Sequence, residues 1–195
     1  EKMNFKKFFK PKSYVNEFGS IKKRMTVSSL IKDQILIYNI CKLWNVGSNI
    51  KSDSLLCDLS EYKIFGTSIN LNNINWHKDY VSGFEYPRKR SDRIKISKWF
   101  DKGIDVKFPW EVSRFYFAIK LAQNYVITKD EKHYLKFKEL VLDWIDKNPF
   151  CYGVNWICTM EVAIRAINWI VALNIFGKVF DDDIEFKEVI LKSLI

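Results

Sequence analysis

Histidine and cysteine are scarce in this chain, with two of the first and four of the second in 195 residues. Cys41, Cys57, Cys151 and Cys158 form no CxxC pair, and a zinc site would want closer spacing together with histidines that are not there. No metal site is expected, and the cysteines read as unpaired. Cys158 falls in an apolar helical pattern, where a thiol behaves as a small hydrophobe. Seven glycines and four prolines leave little room for long disordered tracts. No run of about 18 uncharged apolar residues is present to cross a bilayer, so no membrane span is expected. There is no GxSxG, HExxH, P-loop or GxGxxG sequence, and hence no expected cofactor. The opening EKMNFKKFFKPK is basic and aromatic but lacks the apolar core and small-residue cleavage site of a secretory signal. The end, KEVILKSLI, carries no residue that closes a helix, which leads us to expect a piece of a longer protein.

What the chain does have is apolar and aromatic bulk, 48% and 16% of its residues, enough for one domain with a substantial core. Its net charge of +9 raises the local concentration of any polyanion. The cations gather early, from Lys6 to Arg24, and again at Arg88, Lys89, Arg90 and Arg93. A solvated surface is the plain reading of such clusters. A nucleic-acid partner is not expected, because helix-turn-helix, RNP and zinc patterns are all missing and the basic residues share no single helix.

Apolar spacing predicts a helix from about Thr26 to Trp44. The stretch from about Asn45 to Phe108, rich in Asn and β-branched residues, predicts short strands or extended segments. A long helix is expected from Pro109 to about Ile127, with Glu111 in its first turn. The next runs through Tyr134 and Ile145 and stops at Asn148, where Pro149 disfavours helix. Another spans about Trp156 to Phe176, and a last one starts near Asp183. Short loops between such helices predict a mainly α array with an irregular N-terminal part. No repeat is visible.

The segment GVNWICTMEVAIRAINW (153–169) poses the sharpest question. Ile157, Met160, Ile164, Ile167 and Val171 make one apolar stripe, and Cys158, Val162, Ala166, Trp169 and Phe176 another, so the helix should be largely buried. Yet Glu161, Arg165 and Asn168 line up on one narrow face at helical spacing. The first two are placed for a carboxylate–guanidinium bridge. Burial of an ion pair costs several kcal/mol in desolvation, so two explanations stay open. The stripe ties down loops, with Asn168 bonded to backbone, or it faces a groove for a polar ligand flanked by Trp156 and Trp169. On the preceding helix Trp110, Glu111 and Arg114 cluster in the same way, either as an intrahelical pair or as a sugar or carboxylate contact. His77 and His133 carry weak signals, with no base-and-nucleophile arrangement around either.

The run DVKFPWEVSRF, LAQNYVITKDEKHY, LVLDWIDKNPF and GVNWICTMEVAIRAINWIVAL resembles the N-terminal helical domain of the heparinase II/III family of polysaccharide lyases, over about Ile74 to Phe176. INWHKDYVSGFEYP is its weaker leading edge. The resemblance implies an incomplete α/α toroid around a cleft, a downstream β-sandwich domain, and β-elimination on acidic, uronic-acid-containing polysaccharides. It also implies export to the periplasm or beyond. The division it suggests is an N-terminal segment, 1–60, within the same domain, and the start of the toroid at 61–195. The family's catalytic asparagine, histidine and tyrosine positions are not matched here, so no catalytic residue is assigned, and the chain alone is expected to be inactive. One wall of the substrate cleft is the expected contribution. By polarity and helical phase, Asn155, Trp156, Glu161, Arg165, Asn168, Trp110 and Arg114 are its candidate substrate-binding residues. A non-catalytic carbohydrate-binding scaffold is the alternative.

Overall fold

The computed structural model describes residues 60–194; the helix expected at 26–44 lies outside them. Strands β1 (Glu61–Ile64) and β2 (Thr67–Asn70) form an antiparallel hairpin in which Glu61 faces Asn70. Phe65 and Gly66, both at positive φ, make its two-residue turn, the geometry that matches the twist of paired strands. Two short 3-10 helices, Ser91–Arg93 and Ile96–Lys102, lie in the irregular stretch that follows. Six α-helices come after: α1 (Lys107–Ser113), α2 (Tyr116–Thr128), α3 (Lys132–Lys147), α4 (Thr159–Phe176), α5 (Lys178–Asp181) and α6 (Ile184–Leu194). The described part is mainly α, as expected.

One helix was expected from Pro109 to Ile127; two are found. The break falls at Phe115, whose φ of 60° and ψ of 35° are left-handed, although RFYF contains no helix breaker. A bulky residue there costs roughly 1–2 kcal/mol. Packing offsets it. The Phe115 ring is buried, lies parallel to Trp76 at 5.1 Å and meets Trp169 edge-on at 5.3 Å. Aromatic contacts of this kind add about 0.5–1.5 kcal/mol beyond the area they bury. Because α1 starts at Lys107, Glu111 lies past its first turn, contrary to expectation. Pro109 does sit in that turn, where its missing N–H is not needed.

The α3 helix ends as the Asn148–Pro149 pair requires, and the Asn148 side chain turns back to donate to the Trp144 carbonyl at 2.9 Å. The expected helix from Trp156 is divided too. Val154–Trp156 is a 3-10 turn, Cys158 is extended, and α4 begins at Thr159.

The core gathers Trp76, Phe115, Phe137, Leu140, Trp144, Trp169, Phe176 and Phe186. Helix α4 packs mainly on α2, which also packs on α3. A smaller cluster of Tyr86, Ile104, Val106 and Val154 supports the segment before α1. By length and hydropathy α4 is apolar enough to span a membrane, although only 39% of it is buried. Its charged residues Glu161 and Arg165 are buried.

Candidate functional site

Of the two explanations for the polar stripe, the buried network with Asn168 bonded to backbone is the one α4 shows, while the apolar stripe is not buried as expected. The polar stripe is the buried one, with Glu161, Arg165 and Asn168 only 2%, 3% and 6% exposed. Met160 and Ile167, from the apolar stripe, are 57% and 59% exposed. The polar residues are enclosed by protein rather than set along an open groove. The helix turns them inward because their partners are there.

Glu161 does not bridge to Arg165. It takes Arg114 from the end of α1, in a forked pair with Nε to Oε2 at 2.6 Å and Nη2 to Oε1 at 2.7 Å. The third guanidinium nitrogen of Arg114 donates to Glu111. Forked pairs of this type are the stronger ion pairs, since two parallel charge-assisted bonds form at once. With one arginine between two carboxylates, the Arg114 guanidinium is held above its ordinary pKa, chiefly by the Glu161 bond. Seven residues along the same face, the Asn168 side chain donates to the Arg114 carbonyl at 2.7 Å. That carbonyl ends α1 at the break, where no following helical turn supplies a donor. Glu161 and Asn168 thus hold Arg114 by side chain and backbone together, immediately before the strained Phe115.

Arg165 is held differently. Its guanidinium lies over Trp144 at 3.9 Å and over Trp156 at 5.2 Å. Neither Nη1 nor Nη2 has a hydrogen-bond partner among the described residues. Burial pulls its pKa down to about 9, against the attraction of Glu161, so it stays charged at neutral pH. A guanidinium tolerates this better than an ammonium, because it is planar and weakly hydrated.

The remaining expected residues flank this cluster. Asn155 is buried and donates both to the Trp76 carbonyl at 2.8 Å and to Asn148 Oδ1 at 2.9 Å. The indole N–H of Trp156 donates to the Asn148 carbonyl at 3.2 Å, and that of Trp110 to the Val154 carbonyl at 2.9 Å. Both tryptophans are half-buried. Arg114 and Glu111 keep about a fifth of their side-chain surface in solvent. The part of the cluster that reaches solvent is therefore the Arg114–Glu111 ion pair.

Three contributors were missed. Trp144, whose ring carries Arg165, is not among the expected site residues. Asn148 was read only as a helix stop, and Trp76 not at all. Only the density of tryptophans around EVAIR hinted at them.

Neither histidine is available for proton transfer at a surface. His77 is buried, its Nε2 lies 3.1 Å from the Lys147 carbonyl, and burial lowers its pKa. His133 is buried with both ring nitrogens unpartnered among the described residues, and burial again lowers its pKa. No group of three or more potential metal ligands occurs among the described residues. Cys151 and Cys158 are free thiols.

The family described as Heparinase II/III N-terminus matches residues 6–192. The chain belongs to that family. The match reaches well outside the stretch from Ile74 to Phe176 that carries the resemblance, taking in most of the N-terminal segment. No curated protein and no solved structure matches the chain.

Proposed function

We propose that this chain is the helical part of a polysaccharide lyase that cleaves uronic-acid-containing glycans by β-elimination. The family match over residues 6–192 carries the reading, and it supports taking residues 1–60 into the same domain. On this reading α1 to α6 are a portion of an incomplete α/α toroid, with a β-sandwich domain downstream and export from the cytoplasm. β-Elimination needs a base for the proton beside the uronate carboxylate, an acid for the leaving oxygen, and a group that neutralises the carboxylate. No described residue is assigned to the base or the acid. The two histidines are buried, and the Tyr134 hydroxyl is taken up in donating to Asp183 at 2.9 Å.

The contribution of this stretch is therefore a shaped wall. Trp110 and Trp156 offer apolar ring faces to sugar, and Glu111 and Arg114 offer polar groups between them. Behind these, Glu161, Asn168, Asn155 and Arg165 keep the wall in place. The test is to incubate the protein carrying this domain with a panel of uronic-acid polymers and follow the ultraviolet absorbance of the unsaturated product. Rising absorbance with at least one polymer is expected.

A non-catalytic carbohydrate-binding scaffold is the second reading, since no described residue is assigned a catalytic role. Retention on an acidic glycan with no absorbance change across the panel selects it. Neither binding nor product on any polymer defeats both.

A further inference from the structure

Beside the polar cluster lies a surface that the helices do not account for. The chain from Arg88 to Arg93 runs against the loop after α3, with Ser91 N–H donating to the Cys151 carbonyl and Gly153 N–H to the Lys89 carbonyl, each at 2.8 Å. Arg90 faces Tyr152 in an antiparallel bridge, so these two side chains leave the same face. The small cluster of Tyr86, Ile104, Val106 and Val154 lies beneath, with Ile96 and Trp99 packed onto it. The backbone here is anchored, and the side chains on it point outward.

Two kinds of side chain are held out. Phe150 and Tyr152 are exposed large aromatics, and the Phe150 ring is fixed edge-on to Trp156 at 5.2 Å. Arg88 and Arg90 pair with Glu85 and Asp92. Lys89, Arg93, Lys95 and Lys98 are exposed and have no ion pair among the described residues. The pairs that do exist are themselves well exposed, so each is weak and gives way readily to a competing anion.

We propose that segments 88–93 and 150–153 form a binding surface for an acidic glycan chain, distinct from the polar cluster on α1 and α4. This rests on the polysaccharide reading above. A sugar ring has an apolar face that packs on aromatic rings, and its carboxylate or sulfate groups meet Lys89 and Arg93. The half-buried Trp156 contacts both Phe150 and the Arg165 stack, so a glycan held here lies next to the wall proposed above. A nucleic acid would meet the same charge, but the described residues contain no recognised base-reading element.

The experiment uses the full chain on immobilised heparin and polygalacturonate, with neutral dextran as the blank. Wild type is expected to bind the acidic polymers in a salt-sensitive manner and to ignore dextran. Lys89→Gln with Arg93→Gln should weaken binding about tenfold and flatten the dependence of log affinity on log salt, since fewer counterions are released. Tyr152→Ser should weaken it severalfold with the salt slope kept. Lys187→Gln with Lys192→Gln on α6, lysines that pair with Asp181 and Glu188, should change nothing. Circular dichroism and thermal midpoints confirm that each variant is folded; all these side chains are surface groups.

Wild-type binding that none of the 89, 93 and 152 variants alters overturns the surface and leaves the polysaccharide reading standing. No binding of wild type to any acidic glycan overturns the proposal together with the substrate class it rests on. Equal binding to a DNA duplex, with the same losses in the variants, overturns the assignment to a glycan. An equal loss in the α6 variant reduces the effect to net charge and overturns the site.

Discussion

Glu161 gives both carboxylate oxygens to Arg114 on another helix and no hydrogen bond to Arg165, one turn along its own. The interhelical pair ties α4 to the end of α1, which an intrahelical pair could not do. It follows that the three charges are unequal in structural weight.

Glu161→Gln keeps the shape and removes the charge, leaving Arg114 with Glu111 alone. Because Arg114 reaches solvent, the loss should fall below that of a fully buried broken pair, at about 2–3 kcal/mol. Glu111→Gln, at the wetter end of the same network, should cost under about 1 kcal/mol. Urea unfolding of the two variants measures the difference, and equal costs would contradict this ordering.

Arg165 rests on indole faces and not on hydrogen bonds. Arg165→Met retains length and apolar contact with Trp144, whereas Arg165→Lys puts a compact, strongly hydrated ammonium in the same dry place. The lysine variant is expected to be the less stable, by about 1–2 kcal/mol. The reverse order in thermal or urea unfolding would mean that charge, not stacking, retains this residue.

Gly153 has a φ of 85°, and a Cβ on it would lie 2.4 Å from Cε1 of His77. Gly153→Ala therefore meets backbone strain and a buried ring at once, and should cost at least about 2 kcal/mol. Gly83→Ala is the control, with a φ of 77° and open space around it, and should cost only about 1 kcal/mol. Combining Gly153→Ala with His77→Ala should recover part of the loss, a coupling that a double-mutant cycle reads directly.

Acid sensitivity follows from the two buried histidines. Burial lowers the pKa of both His77 and His133 from the ordinary value of 6.5, so below that value the unfolded chain binds more protons than the folded one. Their contribution is complete above about pH 6.5 and is lost as the pH falls from there toward the lowered folded values. Thermal midpoints measured between pH 7.5 and about 5 should decline, and His77→Gln should flatten the decline. A midpoint unchanged over that range would contradict the burial of these rings.

Much of the helical content was legible because apolar periodicity is local. The ends of α3 and the start of α6 follow from Pro149 and the acidic run at 181–183, residues that act on their own backbone. The break at Phe115 was not legible. Its cause is Trp76, 39 positions upstream, and Trp169 on another helix, and no local propensity records them. The polar stripe of α4 was seen at once, since 161, 165 and 168 share a face in any helix. Its direction was not, because a face carrying three polar groups turns inward only when a partner waits there, and Arg114 and Trp144 come from other elements. The candidate list therefore contained the cluster, but paired Glu161 with the wrong arginine and left open whether its members face protein or a groove.

The bend between α1 and α2 is maintained from a third helix rather than by a glycine or proline at the bend itself. The docking of α4, whose amide and carboxylate close on Arg114, therefore fixes the end of the seven-residue α1. In refolding followed by hydrogen exchange, the amides of α1 should gain protection together with those of α4 and no sooner. Weakening the grip at Asn168 should free the short rod while the α2–α4 pair stays closed.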